Sequence, residues 1–292
     1  MKTGLVLEGG AHRAIYTAGV LDALLEHQVC FDGVIGVSAG AIHGCAFVSE
    51  QHGRSINYTL KYANDKRYMS FYSWLTTGNL VGEQFCYHEL PEKLFPFNHQ
   101  KFENSATKFY VTCTNLQTGE AEYIYCDELK NKMPYLRASA SMPFVSQISY
   151  INGKAYLDGG IADSIPVKAF QKLGYDRCVV VQTRADGYQK HKNKLSWLAR
   201  IIYRKYPKFA EAIALRHIMY NRELAEISEM QQKGKVFVIR PSKVIKISHT
   251  EKNLDVLREV YLLGRTDALN VMADLQKFLQ QNSSRKEKKD KI

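Results

Sequence analysis

Ser38 stands between two glycines in Ile35-Gly36-Val37-Ser38-Ala39-Gly40-Ala41, and about 120 residues later Asp158 stands before two more in Asp158-Gly159-Gly160. A serine hydroxyl is a weak nucleophile in water and becomes a useful one only on an exposed turn with a base beside it. Residues 31–37 are apolar enough for a buried strand and residues 39–47 read as a helix of small side chains, so Ser38 falls where a nucleophile elbow would put it. Gly36 and Gly40 leave that turn uncrowded. Nearer the start, Gly9-Gly10-Ala11-His12-Arg13 follows a second apolar run, residues 3–8, and leads into a helical pattern over 13–27.

These residues need a scaffold that brings them together, and the periodicities predict one. Two strands joined by one crossover helix lie parallel, so the loops after residues 8 and 37 open side by side at one sheet edge. Residues 58–104 read as helical and loop cover. Alternating runs at 108–114 and 120–126 predict a hairpin, and residues 127–140 predict a helix. A second hairpin, 147–151 with 154–157 turning at Asn152-Gly153, delivers Asp158 at its end. A helix over 163–173 with Pro166 in its first turn and a strongly apolar strand over 177–183 follow. Beyond Arg184 the pattern predicts helices over 195–206 and 208–233, a strand over 236–239, and a final helix of about 30 residues capped by Thr250 and interrupted or kinked near Gly264. The fold class expected is α/β, a mostly parallel central sheet with helices on both faces.

Strand-ending glycine loop, Gly-x-Ser-x-Gly turn one βα unit later and late Asp-Gly-Gly occur here in the order that resembles the patatin-like phospholipase family, of the bacterial type. Ala138-Ser139-Ala140-Ser141-Met142-Pro143 is similar to that family's small-residue segment before the acid strand, and the resemblance spans roughly residues 4–183. It implies a three-layer sandwich and a lipid acyl hydrolase without cofactor or metal. It further implies that Ser38 is the nucleophile, Asp158 its partner in a Ser/Asp dyad, and Gly9, Gly10, Ala11 and Arg13 the oxyanion-hole loop, with Gly36, Gly40, Gly159 and Gly160 shaping the elbow and the acid turn. Asp163 and Pro166 resemble the turn after the acid. The chain departs from the pattern at Ala11 and Ala14, where the family carries glycine. Alanine resists a positive φ, so a hole that needs that conformation at residue 11 would be weakened. The expected substrate is a lipid or other acyl ester; an acyltransferase using the same dyad and a non-catalytic membrane-binding or regulatory protein are the alternatives.

Other chemistries fit less well. Gly-Gly-Ala-His-Arg-Ala lacks two glycines of a dinucleotide fingerprint, and an ordinary α/β-hydrolase triad places its serine after several strands and its histidine late. His249 is late but beside a helix start; His12 and His43 lie near the loop and the elbow and could tune a pocket. The six cysteines show no metal spacing and read as reduced, in a cytoplasmic protein. The net charge of +11 is uneven: residues 1–184 hold 17 basic and 17 acidic side chains, and residues 185–292 hold 23 against 12. That balance predicts a core over 1–184 and a basic, mainly helical part over 185–282, in the same domain or as a small appendage. Residues 283–292 are expected to be a disordered tail. The basic part suggests peripheral contact with an anionic membrane, on its inner face, with no nucleic acid expected. Oligomeric state is not legible.

Overall fold

A computed structural model describes residues 1–194 and 196–280; the expected tail over 283–292 lies outside the described residues. Strand β1 (Thr3–Leu7) occupies the middle of an eight-stranded mixed sheet, flanked by β2 (Gly33–Val37) and, on its other side, by a strand from residue 177 onward. Helix α1 (Ile15–Glu26) is the crossover between β1 and β2, and α2 (Ala39–Val48) leaves β2 directly. Short helices α3 (Arg54–Tyr62), α4 (Phe71–Thr77) and α5 (His99–Glu103), with a π-helical stretch Phe85–Leu94 that accommodates Pro91, form the cover. Strands β3 (Lys108–Asn115) and β4 (Ala121–Cys126) make the first hairpin, followed by α6 (Leu129–Ser139). Strands β5 (Ser149–Ile151) and β6 (Lys154–Asp158) make the second, turning through Asn152 and Gly153 at φ 49° and 76°. The chain continues through α7 (Val167–Lys172), β7 (Arg177–Val181), α8 (Ser196–Ile202), α9 (Pro207–Gln232), β8 (Val236–Ile239), α10 (Leu254–Asn270) and α11 (Met272–Gln280).

The sheet order is β5-β6-β3-β2-β1-β7-β8, with β4 on the other side of β3. The run β3-β2-β1-β7-β8 is parallel, whereas β4, β5 and β6 are paired antiparallel. Period-two alternation divides the core. Leu5, Leu7, Val179 and Val181 face one layer with α1, α2, α6, α10 and α11, while Val6, Ile35, Cys178 and Val180 face the other with α7 and α9. Each fully buried aliphatic side chain contributes roughly 1.5–3 kcal/mol.

Residues beyond 185 enter both layers. Strand β8 pairs with β7 from Cys178–Val236 to Val181–Ile239. Helix α10 lies on α1 at glycine distance: a Cβ on Gly264 would meet the Tyr16 carbonyl oxygen at 2.0 Å, and one on Gly19 would meet that of Tyr261 at 2.0 Å. Arg265 clasps Glu26 with bonds of 2.8 and 2.7 Å, and the Tyr261 hydroxyl donates to Asp22 at 2.9 Å. The final helix differs from the sequence reading. Its cap is Asn253, whose side chain accepts from the N–H groups of Asp255 and Val256, and the chain breaks at Val271, not Gly264. Helix α10 runs uninterrupted through Gly264, which removes a side chain where Tyr16 packs.

Candidate active site

Strand register carries Ser38 to Asp158. Val37, the last residue of β2, pairs with Thr112 of β3, and the next residue of β3, Cys113, pairs with Asp158 of β6. Strand β4 holds the other edge of β3 from Phe109 to Thr114, so β6 continues along the edge that β2 leaves. The two residues therefore end their strands on adjacent rungs. Contacts agree: a Cβ on Gly160 would lie 3.1 Å from Asp158 Oδ1 and 3.4 Å from Val37 Cγ1, and one on Gly159 would run into the Thr112 carbonyl oxygen at 2.1 Å.

Ser38 takes φ 55° and ψ −127° at the turn from β2 into α2, a strained conformation for a residue with a side chain. Its N–H donates to Ser139 Oγ at 2.8 Å, and the Ser139 hydroxyl donates to the Thr112 carbonyl at 2.7 Å, so the elbow is fastened from α6. Gly36 and Gly40 allow the close approach of strand and helix: a Cβ on Gly36 would lie 2.4 Å from Ala41 Cα, and one on Gly40 2.6 Å from the Leu7 carbonyl oxygen.

The glycine loop lies against the elbow. A Cβ on Gly9 would be 3.0 Å from Ser38 Cβ. Ala11 adopts φ 47°, the positive value that alanine resists, and opens the short 3-10 turn Ala11–Ala14, which includes Ala14 without strain. Among the described residues the N–H groups of Gly9, Gly10 and Ala11 donate to no protein acceptor, whereas that of Arg13 donates to the Gly10 carbonyl at 3.0 Å. Glu8 anchors the loop from below, accepting at 2.6 Å from the Thr183 N–H and at 2.6 Å from the Tyr220 hydroxyl.

Asp158 is buried at the end of β6, its Oδ1 accepting from the Gly160 N–H at 2.8 Å and its own N–H donating to the Ser141 carbonyl at 2.9 Å. Burial pushes its pKa above the ordinary carboxylate value, against the opposing pull of Arg216, the Gly160 N–H and the Ser38 hydroxyl. Burial holds His12 at about 4 and His43 at about 3, so both imidazoles are neutral at pH 7. His43 Nδ1 is bonded to Ser55 Oγ at 2.9 Å, while both ring nitrogens of His12 are buried without a partner. His249 also lies near, its pKa lowered by burial and by the charges of Arg13, Arg184, Arg216 and Lys190.

Two cavities meet at Ser38. One, of about 110 Å³, is walled by Ile15, Ile42, Tyr58, Met69, Leu90, Met133 and other apolar side chains, with the 54–97 cover as its roof. The other, of about 310 Å³, is polar and contains Asp158, the glycine loop, Arg13, Arg184, Lys190 and Arg216. Ala11, Ser38 and Met142 line both. Among the described residues no group of three or more His, Cys, Asp or Glu side chains could hold a metal ion.

Several of these residues have no counterpart in the motif reading. Arg216 and Glu223 sit on the stripe of α9 that includes Phe209, Ile213, Tyr220 and Ile227; a charged pair inside an apolar stripe at helical spacing was the available signal. Glu223 meets the turn after the acid, accepting from the Ser164 N–H at 3.3 Å beside Asp163, which accepts from the Tyr123 hydroxyl at 2.6 Å. Burial first, then the charges of Asp163 and Glu8, hold the Glu223 carboxyl far above the usual range, so it is protonated at neutral pH. Because this folded pKa is raised, its contribution favours folding below the unfolded value and is lost as pH rises toward the folded one. Glu223→Gln is therefore expected to melt close to the natural protein at pH 5 and above it at pH 8, the gap growing by up to about 1.4 kcal/mol per pH unit. A constant offset across that range in thermal melts would contradict this.

Residues 5–170 match the family profile described as "Patatin-like phospholipase", and residues 206–280 match "Domain of unknown function (DUF6363)". The chain is 28% identical over 289 residues to "Uncharacterized protein YjjU" of Escherichia coli (strain K12), covering 95% of this chain and 79% of that protein. It is also 28% identical over 181 residues to "Lysophospholipase nte1" of Aspergillus oryzae (strain ATCC 42149 / RIB 40), covering 60% of this chain and 11% of that protein. The chain thus spans about a tenth of the length of its lysophospholipase relatives. Among solved structures, VipD from Legionella pneumophila superposes with a TM-score of 0.46 at 12% identity, covering 94% of this chain and 67% of that one.

Proposed function

Since the chain belongs to the patatin-like phospholipase family, we propose that it is a serine-dependent lipid acyl hydrolase working through Ser38 and Asp158. The observation that carries this reading is the position of Ser38, on a strained turn with Asp158 on the adjacent rung and a cavity for an apolar chain on one side. Ser38 Oγ attacks the ester carbonyl while Asp158 takes its proton; the raised pKa of the buried carboxyl makes it a better base than an ordinary aspartate. The oxygen that becomes negative is received by the unpaired N–H groups of the Gly9-Gly10-Ala11 loop. Asp158 returns the proton to the leaving alcohol, and a water deprotonated by the same carboxylate frees the fatty acid from Ser38. Ala11 supports the reading despite its side chain, because it adopts the positive φ that a glycine would take there. The dyad assigns no step to a histidine: burial pushes His12 to about 4 and His43 to about 3, which makes both weak bases, and His43 Nδ1 is bonded to Ser55 Oγ.

Peripheral membrane contact belongs to the same proposal. Among the described residues no helix is long and apolar enough to cross a membrane. Phe71 and Leu75 on α4, and Trp197, Ile201 and Ile202 on α8, are exposed apolar side chains within a chain of net positive charge. We assign residues 185–280 to the same folding unit as the core, on the strength of β8 and α10. Labelling with a fluorophosphonate probe is expected to modify the natural protein at Ser38 and to fail with Ser38→Ala. A folded natural protein that neither labels nor releases fatty acid from any acyl ester would overturn the hydrolase reading.

A further inference from the structure

The polar cavity beside Ser38 concentrates positive charge. Arg13, Arg184, Lys190 and Arg216 line it together with His249, and its carboxylates are Glu8 and Asp158. Glu8 is occupied by Thr183 and Tyr220, and Asp158 by the Gly160 N–H. Among the described residues no carboxylate forms an ion pair with any of the four cations.

Three of the four cations are held in place by something other than an acid. Arg216 spends its Nε on the Gly160 carbonyl at 2.6 Å, leaving Nη2 3.2 Å from where a Cβ on Gly160 would stand. The Arg184 guanidinium lies 4.2 Å from the centre of the Tyr188 ring, and the Lys190 ammonium 5.0 Å from that of Tyr220. Two bonds between the Lys190 backbone and the Asn221 side chain, of 2.8 and 3.0 Å, tie residue 190 to α9. Arg13 Nε is buried without a partner. Burial, then the neighbouring Arg216, Arg13 and Arg184, lowers Lys190 to about 8. Four cations gathered in a partly desolvated cavity repel one another, and an anion there would relieve the repulsion.

We propose that the Arg13, Arg184, Lys190 and Arg216 cavity is a phosphate subsite that selects acyl esters whose alcohol carries an anionic phosphate, with the acyl chain in the apolar cavity and the carbonyl at Ser38. This rests on the acyl-hydrolase reading above. Guanidinium and ammonium groups are the natural partners of phosphate oxygens. A choline or ethanolamine headgroup adds a cation for which the cavity offers no uncommitted carboxylate, so a phosphomonoester or another net-negative headgroup is preferred. Two of the four cations come from beyond residue 185, which gives the basic part of the chain a place in choosing the substrate.

The test compares lysophosphatidate, lysophosphatidylcholine and monoacylglycerol of one chain length, in mixed detergent micelles, with the natural protein and an Arg184→Gln/Lys190→Gln double variant. The natural protein is expected to prefer lysophosphatidate over monoacylglycerol by about 10-fold or more in kcat/KM, and the double variant to lose most of that ratio. It should melt close to the natural protein, because relief of like-charge repulsion offsets the loss of the ring contacts at Tyr188 and Tyr220. Equal kcat/KM for the three lipids, or a ratio unaltered in the double variant, would overturn the subsite while leaving the hydrolase reading intact. Calorimetry with Ser38→Ala separates the sources of phosphate and needs no turnover. Lysophosphatidate binding at least about 10-fold tighter than both inorganic phosphate and monoacylglycerol supports the subsite. Inorganic phosphate binding as tightly as the lipid, or monoacylglycerol binding as tightly as lysophosphatidate, overturns it. If no ester is cleaved and no probe labels Ser38, the hydrolase reading fails and the calorimetric result still decides the subsite.

Discussion

Asp158→Asn is expected to lower kcat/KM for a fatty acyl ester by about 10³–10⁴-fold while leaving the protein folded. Asparagine keeps the shape and an oxygen that can accept from the Gly160 N–H, and the backbone bonds at residue 158, to the Ser141 carbonyl and from the Thr114 hydroxyl, do not depend on the side chain's charge. What it loses is the lone pair that receives the Ser38 proton. The natural protein should also lose activity as pH falls through the Asp158 pKa, at a higher pH than an ordinary aspartate would give, because burial raises it. Stability should move the other way: an ionised carboxylate with a raised folded pKa costs folding free energy at neutral pH, and the amide removes that cost. Steady-state kinetics with thermal melts on the same samples check this. Near-natural kcat/KM in a folded Asp158→Asn protein would remove Asp158 from the chemistry.

A second large effect is expected far from the site. On an exposed helix, Gly→Ala gains about 1 kcal/mol from helix propensity alone. Gly264→Ala is expected to lose about 3 kcal/mol or more instead, because its methyl would stand 2.0 Å from the Tyr16 carbonyl oxygen. Backbone cannot yield as a flexible side chain can, so α1 and α10 must separate, loosening the bonds of Asp22 to Tyr261 and of Glu26 to Arg265. Chemical denaturation reads the sign directly. A stabilised variant would show that the two helices do not meet at this residue.

Elements built on local patterns were legible from sequence, and those set by distant partners were not. The βαβ start, both hairpins and the strand over residues 177–181 follow from alternation and turn residues that lie within a few positions of one another. The parallel connection pointed to a common edge for Gly9-Gly10 and Ser38, whereas Asp158 joined them only through the order of motifs in the family they resemble, because it ends an antiparallel strand whose register against β3 is set by distant residues. Ser139 was visible as part of a small-residue segment, but its bond to the Ser38 N–H depends on how α6 meets the elbow. Arg216 and Glu223 looked like members of a mixed-charge helix, since which stripe of α9 is buried follows from packing against the sheet. The interruption was read at Gly264 and falls at Val271, because glycine breaks helices and admits close neighbours equally well, and only the partner helix shows that Gly264 serves the second purpose.

The pairing of α1 with α10 also fixes a timetable. Some 245 residues separate Gly19 from Gly264, and at translation rates of about 5–20 residues per second the face of α1 around Gly19 waits roughly ten to fifty seconds on the ribosome for its cover. Lys190 and Arg216 also emerge after Ser38. The face of α1 that meets α10 is therefore covered only after residues 254–270 have been made, and until then the nascent chain carries an open seam there.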